Sequence, residues 1–494
     1  MTLIMGAVII DEDLTKRQEK CVYYKGGKPL LIKAGPGAGK TFVLTERVKY
    51  LLEKEKKNPE SFLIITFSVK AAEELKVKLS NKDIPEETIN KMQISTIHSF
   101  CLKLLEDPKR NHKREGYKIY SDDNGERMKL FLKNHLKCLG FENEYFANAS
   151  HISAILDKYD EYTMYNVDTE GLVEYIKETR KIEPKYVEIV NEEINKNHKF
   201  PSKCLRLNKD KADYEGVYKS WYNARYLKVA ESYPDYLELL DEHHITDFNR
   251  LQLDALDSLR EDPESQYTNI FIDEFQDTDP IQIQIFEILM EEAISSGGTF
   301  TAVGDADQRI YGFRGSLSNY FDYMDENHDV DKVVLDYNHR STNEIIGLSE
   351  DFIKHQRSNN EEFKGRRNES KSSFYMKNAS KEEEAHQICE LIKNLIEHRN
   401  LKYEDIAILT RSVKHNHVSD LIASLKSNEI PHQIKGFNDL DEQDEVQSIL
   451  FLLNYLVEDE DEISVYEPLN LKGFAGNDFN QVFTFQCRPV YKAH

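Results

Sequence analysis

The sequence predicts an α/β fold in which parallel strands alternate with crossover helices, broken by a long helical insertion. Three observations carry this. Apolar runs alternate with helix-period stretches over the first hundred residues. Strand-like runs then vanish over 106–236, where Lys, Glu, Asn and Tyr dominate. They return from Asn269 onward.

Taken in order, residues 30–33 read as a strand, 40–52 as a helix, 62–67 as a second strand and 69–79 as another helix. Within the insertion, Tyr214, Tyr218, Trp221, Tyr222 and Arg225 recur at helical spacing. Core packing is expected of such rings before a stacking surface for bases. Strand signals come back at 269–272, 300–303, 332–335 and 405–410. Between the last two, Ala385, Ile388, Leu391, Ile392 and Leu395 share one helix face. The strand at 332–335 is expected to open a second α/β unit. The acidic patch at 458–462 reads as a solvated loop.

Composition narrows the function classes. The chain of 494 residues carries 27 Tyr and 24 Phe, which argues for packed cores over bulk disorder. It holds no apolar run of 18 residues, so no membrane-spanning helix is expected. The apolar first ten residues lack a basic flank and a cleavage site. They suit an edge strand or a docked terminus better than a signal peptide. The six cysteines are scattered without a CxxC pair, which excludes a zinc-ribbon pattern and suits a reducing cytoplasm. A net charge of −23 excludes nucleic-acid binding through overall charge, so any DNA contact must be a local groove.

The strongest local signal is Ala34-Gly35-Pro36-Gly37-Ala38-Gly39-Lys40-Thr41, between an apolar strand and a helix. Glycines let backbone N–H groups face phosphate oxygens, and the helix N-terminus adds a favourable dipole. Lys40 would reach the β- and γ-phosphates of ATP, and the Thr41 hydroxyl would ligate Mg²⁺. Ala34 stands where the strict pattern has Gly. A phosphate loop needs an acidic partner, and Ile270-Phe271-Ile272-Asp273-Glu274 supplies a buried strand ending in two carboxylates. Asp273 would hold Mg²⁺, and Glu274 would polarise the attacking water as general base. The helical insertion accounts for the long separation of Lys40 from Asp273.

Further motifs stand in a fixed order around these two. They are Leu14-Thr15-Lys16-Arg17-Gln18, Ile65-Thr66-Phe67-Ser68-Val69-Lys70-Ala71-Ala72, Ser95-Thr96-Ile97-His98-Ser99-Phe100 and Asp247-Phe248-Asn249-Arg250-Leu251. Asp273-Glu274-Phe275-Gln276-Asp277-Thr278 follows, then the run from Val303 to Gly315, then Tyr337-Asn338-His339-Arg340-Ser341. Together they resemble the UvrD/Rep/PcrA group of superfamily 1 DNA helicases. The resemblance implies two RecA-like P-loop NTPase domains, with a helical insertion in the first and a reduced second half. Residues 1–105 and 237–331 would form the first domain, 106–236 the insertion and 332–494 the second domain. It further implies that Gln18 reads adenine, Gln308 senses the γ-phosphate, and Arg340 reaches the nucleotide as an arginine finger. His339 would stack on adenine where the family has Tyr. Phe67, His98, Tyr311, Phe313 and Arg314 would contact single-stranded DNA. Stacking on such rings is worth about 1–3 kcal/mol per base whatever the sequence.

The second half departs from the family. Leu471-Lys472-Gly473-Phe474-Ala475-Gly476 is similar to a degraded fifth motif. The last motif has no clear counterpart, Arg488 being the only arginine after it. The large insertion of the family's second half is reduced to about ten residues near 458–468. Length and reduced second half together resemble one branch, the helicase-like subunit of the Gabija antiphage defence system. That likeness implies a bacterial, cytoplasmic setting. It also implies a partner, the OLD-family nuclease subunit of Gabija, in a hetero-oligomer, with single strands or DNA ends as the signal. Two readings stand at this point: an ATP-driven motor or sensor on single-stranded DNA, and a regulatory module that binds ATP and DNA and activates a nuclease without processive unwinding. A third, a structural protein whose ATP site only stabilises the fold, is opposed by the intact Lys40, Asp273, Glu274 and Gln308.

Overall fold

The computed structural model describes residues 2–4, 14–110, 113–120, 125–141, 149–180, 211–308, 320–353, 364–367, 380–399, 401–410 and 416–434. They belong to two compact units, one made of Met1–Ile9 with Ser372–His494 and the other of Ile10–Lys371. The chain opens with β1 (Thr2–Ile4), which belongs to the first of these.

The larger unit is built on a six-stranded sheet. Its strands are β2 (Leu30–Ala34), β3 (Phe62–Thr66), β4 (Gln93–Thr96), β7 (Asn269–Ile272), β8 (Thr299–Gly304) and β9 (Asp331–Leu335). The spatial order is β4-β3-β7-β8-β2-β9, and every pairing is parallel. Side chains alternate across the strands, and both faces are covered. Leu31, Leu63, Ile65, Ile270, Ile272 and Phe300 pack on one side; Leu30, Ile32, Phe62, Ile64, Phe271 and Val333 pack on the other. This explains why the inner strands β2, β3 and β7 read as largely apolar runs, whereas the edge strands β4 and β9 alternate in burial. Burying each such side chain contributes about 1.5–3 kcal/mol. Because all strands run the same way, their carboxyl ends share one edge, where open α/β sheets bind ligands.

Helix starts are fixed by side-chain caps. Thr15 caps Lys16–Val22 in a reciprocal box with Gln18, Ser68 caps Val69–Ser80, and Thr96 caps Ile97–Leu105. Asp247 caps Phe248–Glu261, and Asp279 with Pro280 opens Pro280–Ser295. Residue 332, expected to open a second α/β unit, instead lies in the edge strand of this sheet, where Leu30 pairs with Asp331 and Ala34 with Leu335.

The insertion is helical as expected. It contains Glu126–His135, Ala149–Met164, Thr169–Thr179 and Lys211–Glu231, followed by Tyr233–Glu242. A two-strand parallel pair, β5 (Lys118–Ile119) with β6 (Ile245–Thr246), joins its two ends. Inside, Tyr159 stacks on Tyr236 at 4.3 Å, and Tyr159 and Tyr233 hydroxyls bond Ser232 and Thr163 at 2.7 Å each. Tyr222, expected in a core, is 41% exposed and packs at a tilt on Tyr226. The side chains of Tyr214, Tyr218 and Trp221 lie outside those described.

In the smaller unit, β1 pairs antiparallel with β12 (Ala407–Leu409). Helices Lys381–Arg399 and Asn416–Ser427 close a core of Ala385, Ile388, Cys389, Ile392, Leu421 and Leu425. The described residues contain no helix long and apolar enough to cross a membrane.

Candidate nucleotide site and the strand ends around it

The loop after β2 presents its backbone in one sense. The carbonyls of five successive residues are taken by protein donors. Gly35 accepts from the Ala38 amide (3.2 Å), Pro36 from Asn338 Nδ2 (2.6 Å) and Gly37 from the His339 amide (2.8 Å). Ala38 accepts from Gln18 Nε2 (3.3 Å) and Gly39 from the Val43 amide (2.9 Å). The amides of Gly37, Gly39, Lys40 and Thr41 donate to no protein acceptor among the described residues. With its carbonyls tied back, the loop is a nest of N–H groups at the start of helix Lys40–Glu53. Gly37 has φ +69°, and a Cβ there would stand 2.6 Å from Asn338 Oδ1 and 2.7 Å from Arg340 Cβ, so only glycine fits.

The acid pair stands at the end of β7. Lys40 Nζ lies 2.7 Å from Glu274 Oε2. Glu274 sits in the left-handed region at φ +51°, a conformation costing a non-glycine residue about 1–2 kcal/mol, and its own amide donates to Asp273 Oδ1 at 3.0 Å. Burial, with the Glu274 charge next, raises Asp273 to about 6, against the pull of Lys40. A buried Asp273 carboxylate beside the part-exposed Glu274 is a donor set that a divalent cation suits. Thr41, on the first helical turn beside Lys40, would add a hydroxyl. Further along the edge, Asp305 follows β8. It is 4% exposed, burial raises its pKa, and its carboxyl accepts Gln308 Nε2 at 2.9 Å.

The segment after β9 folds over the loop. Strand β10 (Tyr337–Thr342) pairs in parallel with β11 (Lys364–Arg367). Asn338 is its anchor: besides donating to Pro36, its Oδ1 accepts the amides of Arg340 (2.8 Å) and Ser341 (2.7 Å). Arg340 therefore stands at the loop with an exposed side chain, in the same compact unit as Lys40. His339 meets the loop through its backbone. Gln18 is 3% exposed and braces the loop: its Oε1 accepts the Thr15 amide while Nε2 holds Ala38. Asn338 and Gln276 both grip this site. Sequence reasoning assigned neither a role, although both lie inside the motifs above.

Of the residues expected at DNA, Phe67 follows β3 and is 42% exposed. His98, in helix Ile97–Leu105, stacks on Phe248 at 4.3 Å and lies 3.3 Å from the Gln252 amide nitrogen. Tyr311, Phe313 and Arg314 lie outside the described residues. The described residues contain no cluster of three or more His, Cys, Asp or Glu side chains fit to hold a metal.

A phosphate-type loop after β2, an acid pair at the end of β7 on the same sheet edge and an arginine-bearing strand over the loop together have the layout of a P-loop nucleotide site on a parallel α/β sheet. Residues 14–331 match the UvrD/REP helicase N-terminal domain, and 333–478 match the UvrD-like helicase C-terminal domain. The chain belongs to the UvrD/REP helicase family. It is 25% identical over 493 residues to the ATP-dependent DNA helicase PcrA of Staphylococcus epidermidis, covering 97% of this chain and 59% of that one. It is 26% identical over 457 residues to PcrA of Staphylococcus aureus, covering 90% and 54%. The chain thus spans a little over half the length of these relatives.

Proposed function

We propose that the protein hydrolyses ATP with Mg²⁺ at the loop–acid site and couples turnover to movement on, or sensing of, single-stranded DNA or DNA ends. The observation that carries this is the convergence of Lys40, Glu274 and the loop amides at one sheet edge. In this reading Gly35 to Thr41 cradle the phosphates and Lys40 neutralises their charge. Glu274 orients the attacking water, Gln308 senses the γ-phosphate and Arg340 stabilises charge on the transferred group. Asp273 and Thr41 hold Mg²⁺, which when bound screens the phosphate oxygens. Gln18 and His339 border the base. Phe67, His98, Tyr311, Phe313 and Arg314 form the DNA track. Residues 10–105 with 237–335, which carry the six strands of the main sheet, act as the first RecA-like domain and 106–236 as its insertion, and the second begins after β9.

The sequence likeness to the Gabija helicase-like subunit supports a narrower reading. In it, the protein works in the bacterial cytoplasm in antiphage defence, beside an OLD-family nuclease.

The test is steady-state ATP hydrolysis by the full chain without DNA, with single-stranded DNA and with blunt duplex. Stimulation by single strands or ends is expected, with Lys40→Ala inactive. Glu274→Gln should fall about 10²–10⁴-fold in kcat while still binding nucleotide. Absence of turnover in every condition would overturn the motor reading in favour of a binding module that serves a nuclease.

A further inference from the structure

Among the described residues Glu274 has two side-chain donors, and only one of them belongs to the phosphate loop. The other is Gln276, which is 5% exposed. Its Nε2 donates to Glu274 Oε2 at 2.8 Å and, at 3.4 Å, to Asp277 Oδ2. Its Oε1 accepts the Asp305 amide at 2.8 Å. This one amide side chain therefore bridges the ends of two neighbouring strands, β7 and β8. The bridge requires close approach. A Cβ on Gly304 would stand 2.3 Å from Gln276 Oε1 and 3.0 Å from the Phe275 amide nitrogen. Beyond the bridge, Asp305 accepts the Asp307 amide at 3.0 Å and Gln308 Nε2 at 2.9 Å. A continuous chain of bonds thus runs from Lys40 through Glu274, Gln276 and Asp305 to Gln308.

Lys40 and Gln276 share Glu274 Oε2. A triphosphate competes for Lys40, because its charge is far denser than that of one carboxylate. Glu274 then keeps one of these two donors, and it is Gln276. A flexible glutamate must be held in a narrow range of angles to present an oxygen to water, and small misplacements of such groups cost large factors in rate. The same amide fixes that glutamate relative to the strand end bearing Gln308.

We propose that Gln276 is a positioning residue for ATP hydrolysis: it orients Glu274 after Lys40 has turned to the phosphates, and sets that orientation from the strand end that carries Gln308. This rests on the ATP-hydrolysis reading above.

The test uses the full chain, Gln276→Glu, Glu274→Gln and the double variant, with single-stranded DNA present. Gln276→Glu keeps an acceptor for the Asp305 amide but loses the donor to Glu274. Its kcat is expected to fall about 10–100-fold, with KM and affinity for a fluorescent ATP analogue within about threefold of wild type. In the Glu274→Gln background the same change should alter residual turnover less than about twofold, because its effect passes through that carboxylate. If Gln276→Glu loses the cooperative melting transition, Gln276→Met, neutral and similar in length, is read by the same cycle. Retention of kcat in a folded variant overturns the proposal. So does an equal fall in both backgrounds, or a fall that tracks lost nucleotide affinity. A wild type with no turnover at all overturns the ATP-hydrolysis reading, and this role with it.

Discussion

Asn338 shows what a single side chain can do at this site. It grips the phosphate loop at Pro36 and caps the backbone of Arg340 and Ser341, so loop and arginine are set by one amide. Replacing it with alanine leaves one loop carbonyl and two amides to find other partners. Each such bond is worth about 0.5–1.5 kcal/mol net. Asn338→Ala should therefore lower the melting temperature and, in the protein that remains folded, weaken ATP-analogue binding roughly 5–30-fold; a fluorescence titration checks it, and unchanged affinity would contradict the clamp. The sequence made the letters of this motif legible but not this role, because Asn338 and Pro36 are 302 residues apart. Other motif letters carry a second duty for the same reason. Ser68, Thr96 and Asp247, read from the sequence only as parts of motifs, are helix caps in the structure. A cap is a local pattern and could have been found from Ser, Thr or Asp before each apolar run.

At the scale of elements, the sheet was legible where strands are buried on both faces, and 269–272 matched residue for residue. The sheet to which 332–335 belongs was not legible, since an apolar run shows that a strand exists but not what it pairs with. Arg47 illustrates a bond between elements that no pattern reveals. Lying in helix Lys40–Glu53 and 1% exposed, it donates to the carbonyls of Cys21, Val22 and Tyr24 and to the hydroxyls of Thr299 and Thr301. It thereby ties the end of helix Lys16–Val22 to β8. Burial lowers its pKa to about 10, so it remains charged at neutral pH. Arg47→Met keeps much of the volume but strands these acceptors. A loss of about 3–5 kcal/mol in urea unfolding of the larger unit's transition is expected, comparable to breaking a buried pair. A loss under about 1 kcal/mol would mean that water or neighbours replace the guanidinium.

The whole molecule sets a constraint that no single site does. With 88 acidic against 65 basic residues, its long-range field repels a polyanion. If it nonetheless holds single-stranded DNA, the grip must depend on stacking and on few phosphate contacts. Affinity for single strands falls with salt at a log–log slope of about −0.7 per phosphate neutralised. About four contacts or fewer would give a slope shallower than about −3. Phe67, 42% exposed just past the end of β3, is a described ring of the DNA track proposed above. Phe67→Ala should weaken binding to an unstructured oligonucleotide by about 1–3 kcal/mol, roughly 5–150-fold. Stacking is insensitive to counterions, so that loss should be the same at every salt concentration. The wild-type and variant lines in a plot of log affinity against log salt should therefore run parallel. Lines that converge, or a wild-type slope steeper than about −5, would show that a basic groove carries the binding despite the net charge.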